Sequence, residues 1–405
     1  MAIENKTEPS LTQSKRTDPH LQASSIEEFG RMLEDKKSFD YSKTGTYWRN
    51  GFPSLDAAEK HVKELMGAND HQALLLVNSG MAAVRTAIEI TSPTAGDFIL
   101  YGERMYKNSR RYCGIILPQR GINSVPADSE LMRDISQKLE RIETQLNGES
   151  DKKLKLVFFE TFSNGIMMPV LDVESFLCIP TLHRLNPTII LDNTMCINSQ
   201  SGITETIEKF PDLRIIVVES ITKSYISNED NGGLLITSNK ELSRQLQEMR
   251  RTDGSTPGPS LTSTIEHFIP PTKEQFDWEN KTIAENTYTI AVACAEASEQ
   301  SSRFSVSHPG LESELARRIT PPNGAAVPVF FICWPKNGLT ARGIAETLEK
   351  HGALKDCFIA ESFGFPKTSI LFDPDSEYVR VAGGLENPKK AQEIAEAFKK
   401  ALSSL

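Results

Sequence analysis

Short apolar runs alternate with helical spacings through the middle of this chain. Ala73–Val77 is apolar and is followed by a helical spacing through Met81, Val84 and Ile88. Further runs occupy Phe98–Tyr101, Leu154–Phe159, Thr188–Leu191, Arg214–Val218 and Leu234–Thr237. They are short, mostly β-branched or aromatic, and bounded by polar or glycine-containing turns, which predicts buried parallel strands. Strand–helix alternation of this kind predicts an α/β fold with a mostly parallel central sheet. Between Asp253 and about Thr282, Gly, Pro and Ser cluster, and the reading is a loop or a change of domain. A helix is expected over about 283–298, then a smaller α/β unit. That unit has strands at Val327–Trp334, Ser369–Phe372 and Tyr378–Ala382, and a helix at Thr340–His351. The last helix starts at an Asn387 cap with Pro388 behind it, and buries Ala391, Ile394, Ala395, Phe398 and Leu402. Residues 1 to about 25 are polar and read as a flexible arm.

A chain of 405 residues exceeds what a single core holds, so one large and one smaller domain are expected. The division reads as an arm over 1–46, a large domain over 47–255, and a connecting segment with a small C-terminal domain over 256–405. Net charge is -9, which argues against a nucleic acid or an anionic membrane as the main partner. It leaves room for an anionic small molecule held by a few local cations. The six cysteines show neither CxxC nor Cys/His ligand spacing, so buried small hydrophobes in a reducing compartment are expected, and no metal site. No apolar run reaches the roughly 18 residues of a membrane span, and the N-terminus has no signal-peptide core; a cytoplasmic protein is the expectation.

Four places could carry chemistry. Ser79-Gly80-Met81 falls between a strand and a helix, where backbone N–H groups make an anion site or where a serine simply caps the helix. Asp192 ends an apolar strand, the edge at which α/β sheets bind ligands, or it caps a turn. Lys223 follows a buried strand and is flanked by hydroxyls in Ser220-Ile221-Thr222-Lys223-Ser224. It can be desolvated into a nucleophile there, or remain an ordinary solvated lysine. Arg380, on a late strand, suits a bidentate carboxylate or an internal salt bridge.

Taken in order, these places resemble the cystathionine γ-synthase-like, or Cys/Met-metabolism, family of pyridoxal-5′-phosphate (PLP) enzymes. Tyr47-Trp48-Arg49-Asn50-Gly51-Phe52-Pro53-Ser54 is similar to that family's YxRxGxPT, Ser79-Gly80-Met81 to its SGM, and Glu160 to Gly165 to its ETPSNP. Ser220 to Lys223 resembles SxTK, and Ser362-Phe363-Gly364 resembles SLG. The resemblance implies an aspartate-aminotransferase-like PLP-dependent transferase fold with a smaller C-terminal α/β domain. It implies that Lys223 carries the cofactor as a Schiff base and that Asp192 pairs with the pyridine nitrogen. Tyr106 would stack on the ring, and Asn164 would lie near its phenolic oxygen. Ser79, Gly80, Met81, Ser220 and Thr222 would hold the phosphate, joined by Tyr47 and Arg49 from a neighbouring subunit. Arg380, Ser362 and Tyr47 would contact an amino-acid substrate. The implied assembly is a homodimer or homotetramer with shared active sites.

The chain departs from the pattern where the pocket and its entrance are shaped. Lys107-Asn108-Ser109 replaces GGT, Gly165 replaces a proline, and Glu219 replaces a histidine. The segment from His267 to Thr282 stands where RGLKTL is expected. The expected reaction is γ-replacement on an activated homoserine- or methionine-like amino acid through a β,γ-unsaturated ketimine. The altered pocket allows an unusual nucleophile, carbon included. A lyase breaking a C–S bond at Cβ or Cγ is the alternative, and a non-catalytic PLP-fold binding protein is the alternative from another class.

Overall fold

The computed structural model describes residues 52–148, 151–196, 201–301, 303–319, 327–334, 339–372 and 376–405. The expected N-terminal arm, Tyr47 and Arg49 lie outside the described residues. Helix α1 (Pro53–Leu65) opens with proline at its first turn and buries Leu55, Ala58, Val62 and Leu65, one helical face. Strand β1 (Ala73–Val77) then leads through Ser79 into helix α2 (Gly80–Glu89). Strand β2 (Phe98–Gly102) follows, then β3 (Asn123–Ala127), helix α3 (Met132–Leu146), β4 (Leu154–Glu160), β5 (Thr188–Asp192), β6 (Arg214–Glu219) and β7 (Gly233–Thr237). Helix α4 (Lys240–Thr252) closes this part.

These strands form one seven-stranded sheet in the order β1-β7-β6-β5-β4-β2-β3. β3 was not among the expected strands: it carries Pro126 and lies at the sheet edge, where a missing backbone donor costs no ladder bond. β7 was read as parallel but runs antiparallel to both β1 and β6. The rest of the sheet is parallel. Successive side chains of each strand enter opposite cores. Leu74 and Leu76 pack on one face and Leu75 and Val77 on the other, and Val217 and Val218 divide in the same way. Burial on both faces is why these strands read as continuous apolar runs.

The segment 253–282 corrects the sequence reading. It is irregular near its start and over residues 269–272, and helices α5 (Pro259–Phe268) and α6 (Lys273–Glu299) fill most of it. The Pro270-Pro271 pair separates two helices, because proline cannot continue the first. The periodicity of α6 is disguised, since its buried face carries Asn280, Asn286 and Thr287 beside Phe276, Ile283 and Ile290. Their donor groups are bonded internally, although the buried Asn280 Oδ1 has no hydrogen-bond partner. Asn280 Nδ2 donates to the Phe276 carbonyl at 2.9 Å, and Asn286 Nδ2 donates to the carbonyls of Gly384 and Glu386 at 2.9 and 2.8 Å. Phe276 lies in the core of the large sheet and Ile290, Ala291 and Cys294 in the core of the second sheet. We place the division between the two cores within α6.

The second sheet is five-stranded, in the order β10-β11-β12-β9-β8, with β8 (Ser305–Ser307), β9 (Val329–Cys333), β10 (Phe358–Ile359), β11 (Ser369–Phe372) and β12 (Tyr378–Ala382). Helix α7 (Ala341–Lys350) and the final helix α8 (Pro388–Leu402) cover it, and α8 packs along α6. Asn387 Oδ1 accepts from Lys390 N at 2.9 Å, the cap expected from the sequence. Cys113, Cys196, Cys294 and Cys333 are buried as expected, whereas Cys178 is exposed. Among the described residues no helix is long and apolar enough to cross a membrane.

The two faces of α6 give a direct test. Phe276→Ala empties a fully buried site and should lower unfolding stability by about 3–5 kcal/mol in urea denaturation. Trp278→Ala, at a position 59% exposed, should change it by no more than about 0.5 kcal/mol. Equal effects would mean that α6 does not enter the first core.

Candidate active site

Three neighbouring strands end in an acid. β4 closes on Glu160, β5 on Asp192 and β6 on Glu219, at the carboxyl edge of a parallel sheet. Glu160 and Asp192 are direct partners in the β4–β5 register, so two carboxylates stand side by side in a buried place. Glu160 is held by two backbone donors, Tyr106 N at 2.6 Å and Asn164 N at 2.8 Å. Burial and, after it, the charge of Asp192 nevertheless push the Glu160 carboxyl well above its usual range. Burial also raises Asp192, and the Thr194 hydrogen bonds oppose that shift. Glu219 accepts from Asn193 Nδ2 at 2.7 Å and from the Tyr225 hydroxyl at 2.6 Å. Burial pushes Glu219 up to about 8 despite these bonds.

Above this edge lies a cavity of about 250 Å³. One wall is the start of α2, where Ser79 Oγ caps the helix by accepting from Ala82 N at 3.1 Å. The first N–H groups of a helix have no intrahelical partner and favour an anion. Gly80 is required there, since a Cβ would stand 2.7 Å from Ser220 Cβ. Thr194 Oγ1 accepts from Ser220 N at 2.9 Å and fixes the turn that leads to Lys223. The Thr222 hydroxyl lines the cavity but is also tied to Gly232, accepting from its N at 2.9 Å.

The second sheet supplies the opposite wall. Lys223 Nζ donates to Ser362 Oγ at 2.6 Å, and Arg380 Nη2 donates to the Glu361 carbonyl at 2.6 Å. The Phe363 ring lies close to both cations, with its centroid 5.5 Å from Lys223 Nζ and 5.6 Å from Arg380 Cζ. Burial lowers the Lys223 amine to about 8, and the charge of Arg380 adds to the effect. An amine in that range is available both as nucleophile and as base near neutral pH.

The structure therefore brings Ser79, Gly80, Met81, Tyr106, Asn164, Asp192, Ser220, Thr222, Lys223 and Arg380 around one cavity, with Ser362 on the lysine. The sequence reading did not single out Glu160, Glu219, Phe363, Asn231 or Ser109 as site residues, and all of them line it. A signal for the first two was present. LVFFE, IILD and IVVE are three apolar strands, each ending in an acid, and in a parallel sheet such ends converge.

The fold and this site define a PLP-dependent transferase-fold protein. A family model described as Cys/Met metabolism PLP-dependent enzyme matches residues 1–267, and the chain belongs to that family. No curated protein matches the chain. Similar solved structures include metB from Corynebacterium glutamicum, at TM-score 0.68 and 19% identity over 88% of this chain and 87% of that one. Another is cystathionine gamma synthase from Xanthomonas oryzae pv. oryzae in complex with cystathionine, at TM-score 0.69 and 18% identity over 88% of each chain. At such identity they share the fold. The cofactor of the family is PLP, and the donor set fits it. A helix start cleared by Gly80 suits a phosphate, a half-desolvated lysine suits an aldehyde, and buried carboxylates suit a protonated ring nitrogen.

A proton bound by Glu219 in the folded state should make stability pH-dependent. Its folded value of about 8 exceeds the ordinary carboxyl value of 4.5, so its contribution is complete below that lower value and is lost as pH rises toward the higher one. Between those limits the difference in unfolding free energy between the wild type and Glu219→Gln should fall with pH, by at most about 1.4 kcal/mol per unit. Calorimetry of both proteins across that window measures it. Parallel curves would place the proton elsewhere.

Proposed function

We propose that this enzyme carries out γ-replacement on an activated homoserine- or methionine-like amino acid, with Lys223 as the cofactor-bearing residue and the proton carrier. The observation that carries the reading is Lys223 Nζ itself. It is desolvated, bonded to Ser362 Oγ at 2.6 Å and flanked by Arg380, in the same cavity as Asp192. PLP, when bound, supplies the electron sink that stabilises negative charge at the substrate carbons.

Asp192 would place its negative charge toward the pyridine nitrogen and so favour a proton on it. Ser79, Gly80, Met81, Ser220 and Thr222 would hold the phosphate. Asn164 would serve the phenolic oxygen. Arg380 binds the substrate α-carboxylate, and its planar fork fixes the orientation of Cα. With PLP bound and the substrate amine in its place, Lys223 Nζ would be free to take the proton from Cα. For γ-chemistry it would first have to hand that proton on to the cofactor side of the substrate imine, and only then, as a neutral amine again, take a second proton from Cβ. Tyr106, which lines the cavity with its hydroxyl accepting from Asn108 Nδ2 at 3.1 Å, would cover the ring and could assist the departing group. A homodimer or homotetramer with shared sites completes the reading, with Tyr47 and Arg49 of one subunit reaching the phosphate of another. The family and the solved neighbours support amino-acid chemistry of this kind. The second reading, a C–S lyase, draws on the same residues and ends with water in place of a nucleophile.

Two measurements test the reading. Borohydride treatment should abolish the visible absorbance of the enzyme and fix a pyridoxyl group on the Lys223 peptide; a label on another lysine refutes the assignment. In heavy water, amino acid recovered during slow turnover should acquire deuterium at Cβ as well as Cα. Exchange confined to Cα for every accepted substrate would replace γ-replacement with β-elimination.

A further inference from the structure

Three successive residues of the strap 361–364 meet the lysine turn, and the first residue of the strap meets Arg380. The Glu361 carbonyl holds Arg380, and Ser362 Oγ accepts from Lys223 Nζ. Gly364 has φ +83°, and a Cβ there would stand 2.4 Å from the Lys223 carbonyl oxygen, so the two backbones are in contact. The remaining residue, Phe363, is held by its carbonyl, which accepts from Asn228 Nδ2 at 2.8 Å.

Asn228 belongs to the turn that follows the lysine. Its own N–H donates to the Thr222 carbonyl at 2.7 Å, one residue before Lys223. Ser227 and Asn228 both adopt the left-handed region, at φ 50° and 66°. Two successive non-glycine residues there are uncommon, and asparagine is among the side chains that tolerate it best. The strained turn aims one amide at the strap while its backbone grips the lysine segment. The two anchors of Asn228 thus bracket the Lys223–Ser362 contact.

We propose that Asn228 is a positioning residue that latches the 361–364 strap to the lysine turn and thereby fixes Ser362 against Lys223 Nζ. This rests on the proposed role of Lys223 as the reactive amine. A hydrogen bond of 2.6 Å weakens steeply with misalignment, so a strap held at one side only would let Ser362 drift and admit water to the amine. The latch also holds the Phe363 ring close to Lys223 and Arg380, and so the spacing between the group that meets an amine and the group that meets a carboxylate.

The test uses cofactor-free full-length protein and trace acetylation of Lys223 by acetic anhydride across pH, read by mass spectrometry. Asn228→Gly removes the amide but accepts the left-handed backbone at no cost, so it separates a latch from a turn former. The charged and titratable groups facing the amine stay in place in this variant: Arg380 from β12, Asp192 from β5, Glu160 from β4, Glu219 from β6, Glu361 from the strap, and Tyr106. With the latch gone the strap loosens and the amine rehydrates. The labelling midpoint should then rise by about one pH unit toward the ordinary lysine range, and hydrogen exchange in the peptide over 358–366 should accelerate. Asn228→Asp keeps the shape and presents an acceptor to the Phe363 carbonyl, so it should shift both readouts the same way; it carries the test alone if Asn228→Gly does not fold. Wild-type labelling and exchange in the folded variants would overturn the proposal and leave Asn228 as a turn residue. Borohydride mapping to another lysine would refute the role of Lys223, yet the labelling shift would still report the latch, so the two failures are distinguishable.

Discussion

The in-register pairing of Glu160 with Asp192 is the constraint around which the site is organised. Parallel pairing puts residues at matching positions beside each other, and here both are buried acids, with Glu219 on the next strand. Unpaired, such a group of charges would resist folding. The protein meets the problem twice over. Backbone donors at Tyr106 and Asn164 and the side chains of Asn193 and Tyr225 take up the carboxylate oxygens, and part of the charge is removed by protonation. The cations come from the other side, as Lys223 and Arg380; burial lowers both, and the charge of Arg380 depresses Lys223 further. A cavity with acids on its floor and cations and a helix start on its walls is polarised before anything binds. A ligand carrying a cationic ring nitrogen and a phosphate matches both halves.

Arg380 can hold its place because β12 is pinned to a helix rooted in the other core. Thr287 of α6 accepts from Gly383 N at 2.9 Å, and Asn286 holds the carbonyls of Gly384 and Glu386, just after the strand ends. α6 begins against the large sheet at Phe276, so the position of the small sheet is set through one continuous helix. The same polar residues that perform this tie are the ones that hid the helix in the sequence.

Much of the fold was legible because strands buried on both faces leave unbroken apolar runs, and because caps such as Asn387-Pro388 are local. Asp192 and Lys223 were visible because each follows such a run. What could not be read was relational. Glu160 and Glu219 join the floor only once register sets the strands side by side, β7 reverses direction without any change in its composition, and α6 buries amides that look like surface. Thr222 shows the same limit at a smaller scale: its hydroxyl was assigned to a phosphate from the sequence, but it also closes the lysine turn through Gly232. Phe363 and Asn228 matter through an approach between distant segments that no periodicity announces.

The departures from the family pattern fall on this relational layer. Glu219 adds a third buried acid and a network through Asn193 and Tyr225. Lys107-Asn108-Ser109 buries Ser109 beside Met81, with Sδ 3.8 Å from its hydroxyl, and engages the Tyr106 hydroxyl through Asn108. Met81, Val84, Phe162, Met195, Val218 and Phe363 are the apolar part of the lining. Apolar walls disfavour water around Lys223 and so help to keep its amine desolvated. The strap 361–364 lines those walls through Glu361 and Phe363 and touches Lys223 Nζ through Ser362, so the wall and the lysine contact rest on the same four residues.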